Sequence, residues 1–347
     1  MNTSVTYHEI VSQTTAWQAA LMAVSTQTQA LQTMWHSEPF TQVIFTGCGS
    51  TYYLSLAASA LLQSLTGCAS RAVPGGELVL YPETAYTADP AAKTLLVAVS
   101  RSGTTTETLT AVTQFKADNR GAVLVITNYG ESTLAQLGDV TIVIEAGQEK
   151  SVAQTRSFAS MYVAATAVAC CLAGEDEALS AMAALPAIGK RLIAQYEPVA
   201  QKWGEDWGLD RFYFLGSGSR YGLACELNLK MKEMTLTHSE PFHFMEFRHG
   251  PMSMVNESTA VIGLLSEAQY QHETAVLQEM TQLGGHVLTL GEDDADVVFN
   301  SKLPEIVRNV LYLPVLQLAA YYRAVGKGLN PDRPHNLTAV IELDLSI

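Results

Sequence analysis

Two stretches decide the fold: Phe45-Thr46-Gly47-Cys48-Gly49-Ser50-Thr51-Tyr52 and Phe214-Leu215-Gly216-Ser217-Gly218-Ser219-Arg220-Tyr221. Each follows a short apolar run, Val43-Ile44-Phe45 in one case and Phe212-Tyr213-Phe214 in the other. Each precedes a long stretch with helical periodicity and few breakers. The two stand about half a chain apart, which points to duplication of one αβ unit.

The rest of each half fits that reading. Further buried-strand candidates lie at 95–99, 123–127 and 141–145, and again at 260–265, 286–290 and 297–299, with helical patterns between most of them. Alternation of strand and helix implies an α/β fold with parallel sheets covered on both faces. The expected architecture is two tandem flavodoxin-like three-layer units. Residues 1–38 read as a helical lead-in, 39–185 as the first domain, 186–210 as a linker and 211–347 as the second domain. In such sheets ligands bind beyond the carboxyl ends of the strands, and the Gly-x-Gly-Ser turns sit at such ends.

Composition narrows the function. The chain has 347 residues, 48% of them hydrophobic, a formal net charge of -14 and a pI near 5.0. That is ample apolar content for two cores. An acidic surface repels a nucleic-acid backbone, so no nucleic-acid partner is expected. It also repels a phosphorylated ligand at long range, so any phosphate site must be local, built from amides and hydroxyls. Cys48, Cys68, Cys170, Cys171 and Cys225 are odd in number and show no metal-ligand spacing, which reads as a reduced cytoplasmic chain without a metal. Met1-Asn2-Thr3-Ser4 opens no basic-then-apolar signal segment. The apolar stretch 161–174 is too short for a bilayer and reads as a buried helix, so no membrane partner is expected.

Gly47-Cys48-Gly49-Ser50 alone is a weak signal. Position 52 is Tyr52, so the Gly-x-Gly-x-x-Gly spacing of dinucleotide folds is missing and no nicotinamide cofactor is expected. The segment Val97-Ala98-Val99-Ser100-Arg101-Ser102-Gly103-Thr104-Thr105-Thr106-Glu107-Thr108 strengthens it. It runs from a buried strand into a helix and offers five hydroxyls within seven residues. Ser102 or Thr104 is placed to cap that helix, and Glu107 to complete a capping box with Thr104. The same turn also suits an anion, held by helix N-terminal amides and Ser and Thr hydroxyls. No Walker lysine is present, which argues against nucleotide hydrolysis.

The second Gly-x-Gly-Ser turn leads into Leu223-Ala224-Cys225-Glu226-Leu227-Asn228-Leu229-Lys230-Met231-Lys232-Glu233. Glu226, Lys230 and Glu233 stand at i, i+4 and i+7 and share one helical face. Leu223, Leu227 and Met231 form an opposing apolar set. The first copy has Ala57 and Ser64 at the matching positions, so the fold itself does not demand these charges. Met245-Glu246-Phe247-Arg248-His249-Gly250-Pro251 follows, and a histidine before Gly-Pro lies in a turn, where it is a candidate acid or base.

Both halves resemble sugar-isomerase (SIS) domains, over roughly residues 35–345. The closest pattern is the isomerase half of glucosamine-6-phosphate synthase, with the related fructosamine-6-phosphate deglycases. The resemblance rests on Gly47-Cys48-Gly49-Ser50-Thr51, Ser100-Arg101-Ser102-Gly103-Thr104-Thr105, Leu229-Lys230-Met231-Lys232-Glu233, Arg248-His249-Gly250-Pro251 and Asp332-Arg333-Pro334-His335-Asn336-Leu337, in the family's order. It implies a sugar-phosphate shell at Gly49, Ser50, Thr51, Ser100, Arg101, Ser102 and Thr105. It further implies that Glu233 shuttles a proton between C1 and C2 and that His249 assists ring opening, often across a dimer interface. Glu226 and Lys230 match supporting residues near the sugar. No cofactor is implied, and a homodimer or higher homo-oligomer is.

Three departures stand out. Arg101 replaces the glutamine of the synthase. The alignment puts Ala339 where the synthase has its Schiff-base lysine, and no lysine follows Lys327. The chain opens on Met1-Asn2, not on the N-terminal cysteine of a glutaminase domain. The second half also has Leu265-Ser266-Glu267-Ala268 in place of a Ser-x-Ser-Gly segment, so one phosphate site is expected, in the first half. The resulting expectation is a phosphosugar isomerase, or a deglycase in which Arg101 holds an amino-acid carboxylate. The alternative is a sugar-phosphate sensor without chemistry, which has no need of Glu233 and His249. Residues 1–38 hold no basic cluster of a DNA-reading helix-turn-helix.

Overall fold

The computed structural model describes residues 4–89 and 91–338. They form two compact units. The first comprises residues Ser12–Glu149 and Arg156–Ala183, and the second residues 4–11, Lys150–Thr155 and Ala184–Leu337.

In the first unit the strands are β1 (Phe40–Gly47), β2 (Ser70–Pro74), β3 (Lys93–Ser100), β4 (Gly121–Thr127) and β5 (Val140–Val143), all parallel, in the order β2-β1-β3-β4-β5. Its long helices are α1 (Val5–Ser37, whose first residues group with the second unit), α2 (Ser50–Thr66), α3 (Thr106–Ala117) and α4 (Arg156–Ala173). The central strands are continuous apolar runs because both faces are covered. On one face Ile44, Leu96, Ala98, Val123 and Val125 pack against Val112 and Phe115 of α3. The alternate residues Val43, Phe45, Leu95, Val97, Leu124 and Ile126 are equally buried, and period-two geometry turns them to the opposite face, where α2 and α4 pack together. Helix α4 is long and apolar enough to cross a membrane, yet 89% of it lies buried in this fold. It starts earlier than the sequence reading placed it, because its first residues, Arg156 and Ser157, are polar.

The second unit repeats the sheet. Strands β6 (Arg211–Leu215), β7 (His238–Phe242), β8 (Thr259–Leu264), β9 (His286–Gly291) and β10 (Val297–Val298) run parallel in the order β10-β9-β8-β6-β7. Its long helices are α5 (Leu185–Gly204), α6 (Arg220–Thr235), α7 (Tyr270–Gln282) and α8 (Leu313–Gly326). Tyr213, Leu215 and Val261 of the sheet pack with Val276, Leu277 and Met280 of α7.

Two features differ from the sequence reading. Residues 186–210 are not a linker: most of them form α5, which packs along α8 inside the second unit. The helix carries two prolines, Pro186 and Pro198. Pro186 occupies the first turn, where its missing N–H costs nothing, and burial of Leu192, Ile193 and Ala200 offsets the interior Pro198. Strands β2 and β7 went unread. Both are edge strands with a proline and mixed polarity, Ser70-Arg71-Ala72-Val73-Pro74 and His238-Ser239-Glu240-Pro241-Phe242, and such strands carry little hydrophobic signal.

The tail motif has a structural task. Asp332 accepts from Val5 N (3.1 Å), Thr6 N (2.8 Å) and Thr6 Oγ1 (2.7 Å), capping the start of α1. Burial pushes its pKa up, but the hydrogen bonds from Ser4, Thr6 and Val5 outweigh burial and hold it below the usual value. Such a group stabilises the fold above its unfolded pKa, about 3.9, and loses that contribution as pH falls through the lower folded value. Asp332→Ala is expected to cost about 1–2 kcal/mol at pH 7. In urea titrations the gap between variant and parent should narrow as pH falls below the unfolded value, about 3.9; a gap that stays constant throughout the acid range contradicts the assignment.

Candidate functional site

In the order β2-β1-β3-β4-β5 the chain leaves β1 toward one edge and β3 toward the other. The crevice at their carboxyl ends is the topological switch point, where open α/β sheets bind ligands. Both hydroxyl-bearing turns of the first unit lie there. Gly47 meets α2 so closely that a Cβ would stand 2.5 Å from Thr51 Oγ1, and Gly49 holds φ at +57°. Thr51 Oγ1 accepts from Cys48 N (2.9 Å) and donates to Cys48 O (3.0 Å). As placed, its proton is committed to the turn, so Thr51 shapes the loop that the resemblance assigns to the sugar-phosphate shell. Ser50 is buried beside it. Burial pushes the Cys48 thiol up, keeping it neutral, and its Sγ lies 3.6 Å from Thr108 Oγ1.

The second turn is differently arranged. Ser100 Oγ accepts from Gly103 N (3.1 Å), and Ser102 Oγ accepts from Thr104 N (3.2 Å) and Thr104 Oγ1 (3.0 Å). Serving as acceptors, both hydroxyls keep their own protons for a ligand oxygen. The expected capping box is absent. Helix α3 starts after Thr105, whose side chain makes no capping bond, and Glu107 Oε2 is buried without a hydrogen-bond partner among the described residues. Thr105 therefore keeps its hydroxyl uncommitted at a helix start not capped from within. Ser100, Ser102 and Thr105, with the start of α3, together offer the kind of donors that an anion would need. Arg101 is buried, and its carbonyl accepts from Asn128 N (3.2 Å) and Thr127 Oγ1 (3.3 Å).

In the second unit the charged face of α6 is buried. Lys230 lies 3.1 Å from Glu226 Oε1 and donates to Glu233 Oε1; the side chains of Glu226, Lys230 and Glu233 are 0%, 1% and 12% exposed. The row thus runs from the core toward the surface and ends on Glu233. Burial alone would push the Lys230 ammonium down, but the two carboxylates outweigh it and raise its pKa. Lys230 is therefore a fixed cation that orients the Glu233 carboxylate.

His249 is exposed, in the turn between the short helices Phe244–Phe247 and Pro251–Met254. Its backbone N–H donates to Glu246 O (2.9 Å). The neighbouring Arg248 forms a fork with Glu279 of α7, Nε to Oε2 at 2.7 Å and Nη2 to Oε1 at 2.6 Å, which pins the turn. Among the described residues no hydrogen bond joins the His249 imidazole to the Glu233 row. Gly49, Ser50, Thr51, Ser100, Arg101, Ser102 and Thr105 belong to the first unit, and Glu226, Lys230, Glu233 and His249 to the second. Ala339 lies outside the described residues.

Removing Lys230 leaves two carboxylates without their buried cation. Lys230→Met is expected to cost about 3–5 kcal/mol. The contribution is whole below the unfolded lysine value, about 10.4, and fades only as pH rises through the higher folded one. The double variant Glu226→Gln/Lys230→Met should recover part of the loss. Urea denaturation at pH 7 measures both, and a Lys230→Met effect below about 1 kcal/mol would show the row to be solvated.

A family model described as SIS domain matches residues 40–170 and 208–303, one match per sheet. The glutamine–fructose-6-phosphate aminotransferase [isomerizing] of Legionella pneumophila is 29% identical over 86% of this chain, and the chain spans about half the length of that relative, 50%. A glucosamine-6-phosphate deaminase from Thermotoga maritima superimposes with TM-score 0.81 at 26% identity, covering 98% of this chain and 100% of that one. A tagatose-6-phosphate ketose/aldose isomerase from Escherichia coli gives TM-score 0.85 at 23% identity over 95% of this chain and 96% of that one, a likeness of fold. With two matched segments covering well over half of its length, one on each parallel sheet, the chain belongs to the SIS domain family.

Proposed function

We propose that the chain interconverts, or removes an amine from, a phosphorylated sugar or amino-sugar by moving a proton between C1 and C2. The observation that carries this reading is the buried row Glu226–Lys230–Glu233. Burying three charges is expensive, and a protein that only binds a sugar phosphate has no use for it. An aldose–ketose isomerase does need a rigidly held carboxylate beside the substrate's acidic C–H.

In this mechanism the phosphate is anchored by Ser100, Ser102, Thr105 and the first amides of α3. His249 donates and accepts the proton that opens the ring. Its exposed turn suits service to a second copy in a homodimer. Glu233 then takes the proton from one carbon and returns it to its neighbour through an enediol, or an enaminol when C1 or C2 carries nitrogen. With an amine in place, the same steps followed by hydrolysis release ammonia or an amino acid, the branch in which Arg101 holds a carboxylate. The deaminase named among the relatives favours the nitrogen-bearing substrates. A reduced, cytoplasmic setting fits such metabolites.

The purified protein would be incubated with fructose 6-phosphate, glucosamine 6-phosphate and 6-phosphorylated fructosamine and glucosamine conjugates, reading hexose phosphate and free amine. Turnover of at least one is expected. Glu233→Gln should lower kcat by about 10²–10⁴, and Ser102→Ala should raise KM by roughly tenfold or more with a smaller change in kcat. Tight binding without turnover, unchanged in Glu233→Gln, would establish a sensor instead.

A further inference from the structure

The second unit has its own switch point, between the parallel neighbours β6 and β8. In the first unit the turn after β3 keeps the hydroxyl protons of Ser100 and Ser102 for a ligand. Here the donors other than Arg220 Nε already have acceptors, and those acceptors are carboxylates of the same chain. Ser266 donates to Glu273 Oε2 through its N (2.6 Å) and its Oγ (3.1 Å). The next two amides, Glu267 N and Ala268 N, reach Glu305 Oε2 at 3.2 and 3.4 Å. Arg220 stands where the first repeat has Thr51. It donates Nη2 to Glu273 Oε1 (3.2 Å) and Nη1 to Glu305 Oε1 (2.5 Å).

Successive backbone amides, a serine hydroxyl and a guanidinium are the donors that recognise a phosphate. Four carboxylate oxygens stand in for phosphate oxygens. The set is more than a capped helix, because its cation is deep. Arg220 is 7% exposed, and its Nε is buried with no hydrogen-bond partner among the described residues. One donor of the buried guanidinium thus makes no hydrogen bond to either carboxylate. The carboxylates also differ in hold: the Glu273 side chain is 3% exposed and Glu305, at the start of a four-residue helix, 23%. With both in place two negative charges face one guanidinium, which repels any further anion.

We propose that this second switch point is an anion site of phosphate type, occupied by the chain's own Glu273 and Glu305, and that removing either carboxylate opens it to a phosphate dianion. The proposal stands on the second unit alone, whatever the first unit binds.

Inorganic phosphate is the probe, with equilibrium dialysis of the full chain. Glu305→Ala and Glu273→Ala, checked for folding by circular dichroism, should each bind one phosphate per chain more than the parent. Their melting temperatures should rise with phosphate by more than the parent's. Adding Arg220→Met to Glu305→Ala should remove the extra equivalent. Glu305 is the less buried carboxylate, so Glu305→Ala decides the matter if Glu273→Ala does not fold. A folded Glu305→Ala that binds no more phosphate than the parent overturns the proposal, as does an extra equivalent that survives Arg220→Met. A parent that binds no phosphate would count against the anchor in the first unit and leave this increment still measurable.

Discussion

Parallel pairing of β1 with β3, with the chain departing from them in opposite directions, is the constraint on which the rest depends. Two adjacent parallel strands whose crossovers diverge must leave a crevice at their carboxyl ends, lined by the turns that start the following helices. Those turns have to be tight, so Gly47 and Gly49 stand there, and Gly216 and Gly218 in the repeat. Backbone amides at a helix start then point into the crevice without help from any side chain. An anion cradle is thus a consequence of the topology, and the remaining question is what each copy puts into it.

The two copies answer differently on the same backbone plan. The first leaves Ser100, Ser102 and Thr105 with donors uncommitted and starts α3 without a side-chain cap. The second brings Arg220 against Glu273 and Glu305 and so pairs both of its Nη donors internally, while its Nε has no hydrogen-bond partner among the described residues. The helix after the first turn, α2, is apolar at Ala57 and buried there, whereas α6 carries Glu226 and Lys230 into the interior. On the function proposed above, duplication followed by such divergence would leave one copy to hold a phosphate and the other to carry a proton-transfer carboxylate. Neither feature alone suffices for isomerisation, which requires a fixed substrate and a fixed base.

The sequence made the sheet strands legible wherever they are buried on both faces, because a short apolar run such as Leu95-Leu96-Val97-Ala98-Val99, leading into a turn-rich segment, suits a buried strand. Edge strands β2 and β7 were not legible, since their residues face solvent on one side and include prolines. The face shared by Glu226, Lys230 and Glu233 followed from helical spacing, but its depth in the core did not, because spacing says nothing about what packs above a face. The hydrogen-bond direction of each hydroxyl was equally hidden. Thr51 and Ser102 look alike in the sequence, yet one has donated its proton to Cys48 O and the other only accepts. Arg220, Glu273 and Glu305 lie far apart in the chain, and only the fold brings them together.

The central claim is that Glu233 carries a proton between two sugar carbons. Proton exchange in deuterated water tests it without requiring the preferred product to be known. Fructose 6-phosphate and glucosamine 6-phosphate would be incubated with the protein and with Glu233→Gln, and the C1 and C2 hydrogens followed by NMR. The account predicts that deuterium enters at C1 or C2 with the parent protein and that the variant loses this exchange. Bound substrate whose C1 and C2 hydrogens stay unexchanged, or exchange that persists in Glu233→Gln, would contradict it.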